Sequence, residues 1–305
     1  MRSLALCLAL AIGAIPSSSS SPDSPPSQVS ARTRVVVLGS GNPVADPDRA
    51  GPAVVVLVDD TPYLFDVGVG VMRRWGAVTR MGIADLDIGS LRRAFVTHLH
   101  SDHTLGYSDL IFTSWTLSGR TEPLEVYGPS GLQSMTDHLL AAYVEDVAAR
   151  TGDGGGRVGA AGPTVRVHEI EPGVVYQDGL VEVTAFAVPH GTWRYAFGYR
   201  IETPDKVVVL SGDTGPTNVV AEHCSGCDLL FYEGGFFTDS SASDYFHQFH
   251  STAEEVARAA RLAEPKMLVL YHQRPGGPQT EAALAVLRSE YPGPFVVAKD
   301  LDVFR

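Results

Sequence analysis

Residues 93–107 read RAFVTHLHSDHTLGY. The run up to Thr97 has the apolar and β-branched make-up of a buried strand. His98, His100, Asp102 and His103 follow it within six positions. Side chains of this kind are costly to bury unless they are paired or hold a cation. The spacing His-x-His-x-Asp-His is so tight that one irregular loop can present these donors to two adjacent cations. Neutral imidazole and carboxylate suit Zn²⁺ or another first-row divalent ion, with Mn and Fe as alternatives. The competing reading, a solvated His-rich loop, fits poorly at the end of a buried strand.

Outward from this motif, apolar runs 35–40, 53–60, 63–68 and 124–129 read as strands, with helices expected over 69–78 and from Gly131 to about Arg150. A Gly-rich stretch, TGDGGGRVGAAGP, then separates a second half with strands at 165–171, 180–190, 195–202, 206–213, 228–234 and 267–273. Helices are expected near 218–223 and over 252–264 and 279–291. Two mixed sheets flanked by helices bury this many strands, so the fold class expected is an α/β αββα sandwich in one domain, residues 32–305. Asp66, His98, His190, Asp213, Glu233 and His272 each stand at the end of an apolar run, where functional groups gather in α/β sheets.

The chain has 305 residues and a net charge of −12. Residues 1–15 join Arg2 to a short apolar stretch and read as a secretory signal, followed by a Ser/Pro-rich linker to Ala31. Export to the periplasm or medium is therefore expected, with no membrane anchor. The acidic balance works against polyanion binding, so nucleic acid is an unfavoured partner. Cys224 and Cys227, in EHCSGCD, leave a disulfide and two structural thiols open, whereas a closed zinc knuckle lacks its second half.

Thr252 and Glu255 form a capping box for the helix that follows, and His250 directly precedes that helix N-terminus. The position favours anions, so His250 is placed to meet a negative substrate group or developing charge.

Taken together, THLHSDH, GSGNP, VYGPSGL, AVPHGTWRYAFGYRI, VVLSGDT, DLLFYEGGF and HSTAEEVARAARLAEPKMLVLYHQRP resemble the metallo-β-lactamase superfamily, ribonuclease Z branch, over roughly residues 34–275. The resemblance implies one metal on His98, His100 and His190, and a second on Asp102, His103 and His272, with Asp213 bridging. Two ions so held lower the pKa of water and stabilise developing oxyanions. It further implies Asp102 and His250 as catalytic groups, Glu233 as the residue that orients His250, and Asp66 as a loop-shaping partner of the ligands. Tyr232 stands where that family has a His before the Glu.

Within this branch, the exported arylsulfatase-type hydrolases and phosphodiesterases are the nearer resemblance. Ribonuclease Z carries a tRNA-binding arm between the strands that match FGYR and SGDT, and only IETPDKVVVL lies there in this chain. The expected substrate is therefore a small anionic ester, either an aryl sulfate or a phosphodiester. tRNA 3′ cleavage, acyl hydrolysis of the lactonase or β-lactamase type, and a non-catalytic metal protein are the alternatives. Trp115, Trp193, Arg194 and His247 are candidate substrate contacts, although packing accounts equally well for Trp193 and Tyr195. A homodimer is also consistent with the resemblance.

Overall fold

The structure is a computed structural model that describes residues 33–152, 163–234 and 237–305. The expected signal and linker, the domain boundary at residue 32 and most of the Gly-rich stretch lie outside these residues.

The first sheet contains β1 (Thr33–Gly39), β2 (Ala53–Val58), β3 (Thr61–Phe65), β4 (Arg93–Phe95), β5 (Leu124–Gly128) and β6 (Val165–Glu169). The second contains β7 (Gly173–Gln177), β8 (Glu182–Val188), β9 (Ala196–Glu202), β10 (Val207–Leu210), β11 (Leu229–Glu233), β12 (Leu268–Tyr271) and β13 (Phe295–Val297). A last strand, β14 (Val303–Phe304), returns to pair antiparallel with β1. Both sheets are mixed and seven-stranded, ordered β14-β1-β2-β3-β4-β5-β6 and β13-β12-β11-β10-β9-β8-β7.

Period-two alternation explains the long apolar runs, because both faces of each sheet are covered. In β1, Val35 and Val37 face the core between the sheets with Phe65, Phe95, Tyr199 and Phe231. Val36 and Leu38 face the opposite way, into a layer formed with α1 (Val71–Arg80), α3 (Tyr107–Ser118) and α4 (Leu132–Ala142). The short α2 (Ser101–Thr104) carries part of the histidine motif. The outer face of the second sheet packs on α6 (Val219–Cys224), α8 (Ala253–Ala263) and α9 (Pro278–Glu290). The αββα sandwich is thus the fold of the described residues.

Some local expectations change. The helix expected from Gly131 to Arg150 breaks at Tyr143, whose ring packs 4.3 Å from that of Phe112, and it resumes as α5 (Val144–Thr151). The helix expected from residue 69 begins at Val71, because Gly70 adopts φ 89° and turns the chain. The strands β7, β13 and β14 and the helices α3 and α7 (Asp244–Phe249) have no counterpart in the sequence reading. Their apolar runs are short and take their order from neighbours.

Cys224 and Cys227 form a disulfide across the end of α6, with Cα atoms 4.9 Å apart. Both are buried against the helical layer. Of the open readings for this pair, the structure takes the disulfide.

Candidate metal centre

The polar residues that end the strands converge at one edge of the sandwich. His98 follows β4, His190 follows β8, Asp213 follows β10, and His272 directly follows β12. Asp66 and His272 both have positive φ, 58° and 59°. Non-glycine residues rarely adopt this left-handed conformation, so the surrounding structure must hold both backbones in place.

Two groups of donors form there. His98, His100 and His190 make one, and Asp102, His103, Asp213 and His272 the other, with donor atoms in each group within 4.8 Å of one another. All but His100 are buried. His98 Nε2 and His190 Nε2 each lie 3.0 Å from His100 Nδ1. His272 Nε2 lies 3.1 Å from Asp102 Oδ2 and 3.4 Å from Asp213 Oδ2.

Outer hydrogen bonds decide which ring nitrogen faces the cluster. The Thr97 hydroxyl donates to Asp66 and therefore accepts from His98 Nδ1, at 3.0 Å. His103 Nδ1 donates to Asp66 Oδ2 at 2.8 Å, and His190 Nδ1 to the Phe249 carbonyl at 2.8 Å. In the neutral form of each ring the lone pair then sits on Nε2 and points inward. His103 Nε2 and Asp213 Oδ1 face each other at 3.3 Å, yet neither makes a hydrogen bond among the described residues. Buried polar atoms without a partner call for an explanation, and a cation between these donors supplies one. The residues present therefore fit two divalent ions, and their N/O set suits zinc.

Electrostatics follow the same geometry. Burial lowers the pKa of His98, and that of His190 to about 4, so both are neutral donors at physiological pH. Burial raises the Asp213 carboxyl, but the nearby His272 and His103 outweigh it and hold Asp213 well below the usual range. For Asp102 burial likewise acts upward, and the His272 hydrogen bond and the charge of His103 bring the carboxyl below its ordinary value.

Beside the two groups stands a proton-handling pair. Glu233 Oε2 lies 3.2 Å from His250 Nδ1, while Oε1 accepts from the backbone N–H groups of Thr214 and Ser251. Burial alone lowers the His250 pKa, yet the Glu233 charge and hydrogen bond, with Asp213 3.9 Å away, raise it to about 9. In the metal-free protein these contacts favour the imidazolium form of His250 at neutral pH. The Thr252–Glu255 capping box of α8 forms as expected and fixes the backbone just after it. Tyr232 is turned to the other face of β11, into the helical layer, with its hydroxyl 3.4 Å from Ser251 Oγ. It takes no part in the pair.

Of the substrate contacts expected, Trp193 reaches the cluster, with its indole N–H donating to His100 Nε2 at 3.0 Å. The others do not. Trp115 is fully buried in the layer between the first sheet and its helices, because the apolar face of α3 places it there. Arg194 is largely exposed, stacks over the Tyr195 ring and lies 4.0 Å from Glu171. His247 sits 3.5 Å from Glu255, the capping residue of α8. Phe249, not singled out in the sequence, contributes both its carbonyl to His190 and a ring 5.3 Å from it. A backbone acceptor leaves no mark in a sequence.

Comparison with known proteins agrees with this geometry. A family described as "Beta-lactamase superfamily domain" matches residues 62–273. Ribonuclease Z of Mycobacterium bovis (strain BCG / Pasteur 1173P2) is 30% identical over 278 residues, covering 88% of this chain and 96% of that protein. Ribonuclease Z of Mycobacterium sp. (strain KMS) is 32% identical over 247 residues, covering 79% and 84%. Among solved structures, the metallo-beta-lactamase fold protein YhfI from Bacillus subtilis aligns over 90% of this chain and all of its own, with a TM-score of 0.67 and 19% identity. The short form of human tRNase Z aligns over 89% and 98%, with a TM-score of 0.65 and 24% identity.

Proposed function

We propose that this chain, which belongs to the metallo-β-lactamase superfamily in its ribonuclease Z-like branch, is a two-metal phosphodiesterase whose first substrate class is RNA carrying a 3′ extension. The observation that carries the phosphodiester reading is the Glu233–His250 pair beside Asp213. Divalent ions on the seven donors would polarise a phosphoryl oxygen and lower the pKa of water. That chemistry alone also serves carbonyl substrates. An imidazolium adds what a phosphodiester with a poor leaving group requires, a proton for the departing alkoxide. Glu233 holds the proton on His250 by charge and keeps the ring oriented through Nδ1. Trp193 and Phe249 flank the His100–His190 side with apolar rings. RNA is favoured over an aryl sulfate because the matched curated relatives are ribonuclease Z enzymes.

A second reading, a small anionic ester hydrolysed in an oxidising compartment, is favoured by three observations. The chain carries a net charge of −12, it contains the Cys224–Cys227 disulfide, and only residues 203–206 connect β9 to β10. Export and action outside the cytoplasm belong to this reading.

Zinc-loaded protein incubated with a 3′-extended tRNA precursor, bis(p-nitrophenyl) phosphate and p-nitrophenyl sulfate separates these readings, with Asp213→Ala as control. Cleavage of the RNA that vanishes in the control supports the first. Turnover of the small phosphodiester without the RNA moves the assignment to the second. Hydrolysis of the sulfate alone overturns the phosphodiesterase reading.

A further inference from the structure

A cleft of about 550 Å³ adjoins the metal centre and has no role in the chemistry described so far. It is lined by the loop after β1, by Val69, and by Ser101, Asp102 and Leu105. Asp102 belongs to both the cleft and the second donor group. Val44, Val69 and Leu105 are 45%, 56% and 62% exposed. Three large apolar side chains exposed around a single cleft differ from the scattered exposure that a surface ordinarily shows.

The walls are built rather than loose. Gly51 N donates to Val69 O, Gly68 N to Pro52 O, and Gly106 N to Val67 O. A Cβ on Gly68 would stand 2.3 Å from Gly51 C, and one on Gly106 would stand 2.3 Å from Gly68 O, so the three segments pack backbone on backbone. Both ends of the loop after β1 are fastened to one carboxylate. Asp300 accepts from Ser40 N and Oγ and from Ala50 N, and it is paired with Arg74 at 2.8 Å. A preformed, mainly apolar concavity with a few polar groups in its lining is the form that ligand pockets take.

We infer that the Val44–Val69–Leu105 cleft is a specificity subsite that takes a planar ring attached to the scissile phosphodiester. This rests on the phosphodiesterase reading. The ring is the occupant because Asp102 both lines the cleft and belongs to the second donor group, so a substrate whose phosphoryl group sits at the metal centre brings its neighbouring substituent towards the apolar side chains. A nucleobase and an aryl group share this flat, apolar face, and both fit the available volume. Asp300 is a positioning residue for the wall.

The test is calorimetric binding of three phosphonate monoanions to the zinc-loaded protein, namely the methyl, phenyl and 5′-uridyl esters of methylphosphonic acid, with phosphorus NMR verifying that each ester is intact after the titration. The inference expects the ring-bearing esters to bind about tenfold tighter than the methyl ester, equivalent to about 1.4 kcal/mol. In Leu105→Ser/Val69→Ser that advantage falls below about twofold while methyl ester affinity is unchanged. Both positions are exposed, and an unchanged melting temperature verifies folding. Asp300→Asn is expected to weaken ring-ester binding in the same direction, again with the methyl ester unaffected. A preference for the uridyl ester assigns a nucleobase, and one for the phenyl ester an aryl group. Binding of all three esters without a ring preference, or a preference that survives the double substitution, overturns the subsite and leaves the phosphodiesterase reading intact. Binding of none of them overturns both.

Discussion

Asp66 sets the tautomer of His98 through the hydroxyl of Thr97. Asp66 can only accept, so Thr97 donates to it, and His98 Nδ1 must donate to Thr97. The same carboxylate accepts from His103 Nδ1. One residue therefore aims a nitrogen from each donor group.

Replacing Asp66 with Ala is expected to weaken metal binding at both groups, each by about 10- to 100-fold, the usual effect of losing such a partner. Competition with a chromophoric chelator measures this. Loss confined to one ion, or none, would show that Asp66 does not govern both rings.

Substituting His250 with Ala is expected to slow cleavage of alkyl-leaving phosphodiesters by about 10²–10⁴-fold, the usual share of a general acid. p-Nitrophenyl esters, whose leaving group needs no proton, are expected to be spared. Glu233→Gln removes the charge that raises the His250 pKa, so the protonated form is lost at lower pH. The alkaline limb of the kcat profile moves to lower pH in this variant. Equal loss on both ester types, or an unmoved limb, counts against the assignment.

Metal loading is expected to change the fluorescence of Trp193. With Nε2 accepting from Trp193, the proton of neutral His100 lies on Nδ1, the atom that faces His98 and His190. Coordination through Nδ1 shifts that proton to Nε2, where it opposes the indole N–H. A zinc titration should alter the emission stoichiometrically in the parent and leave Trp193→Phe unaltered, since Trp75 and Trp115 are buried elsewhere in the core. An identical response in the variant would refute this.

Acid sensitivity has a separate expected source at Asp178. Tyr63 and Tyr176 hydroxyls donate to it at 2.7 Å, and the backbone N–H groups of Leu180 and Val181 donate as well. Burial acts upward on this carboxyl, but these hydrogen bonds outweigh it and hold the pKa below the usual value of 3.8. A depressed carboxylate contributes stability above its unfolded pKa and loses it as pH falls through the folded one. Asp178→Asn is expected to melt about 1–2 °C lower at pH 7, a small shift because solvent screens this partly exposed carboxylate. The gap should close once the pH has fallen below this depressed pKa. A gap that persists there would point to packing instead.

The donors were legible in the sequence because strand-ending His and Asp at such spacing have few other uses. The two-sheet sandwich was legible because its strands are long and apolar on both faces. What escaped the sequence depends on contacts across the chain. Trp115 reads as a candidate substrate contact beside the motif, but α3 turns it into the core. Arg194 stands close to His190 in number and His247 to His250, yet Arg194 is largely exposed and His247 lies beside Glu255. Asp300 lies beyond the recognisable motifs, and its four contacts reach back to residues 40, 50 and 74.

That long return contact imposes an order in time. The histidine motif leaves the ribosome about two hundred residues before Asp300, and β1 waits still longer for β14. A nascent chain can therefore carry the His98–His103 motif well before the cleft wall is fastened. Substrate selection is a late acquisition in the life of each molecule, completed only when residues 300–304 have been synthesised and have folded back onto the first sheet.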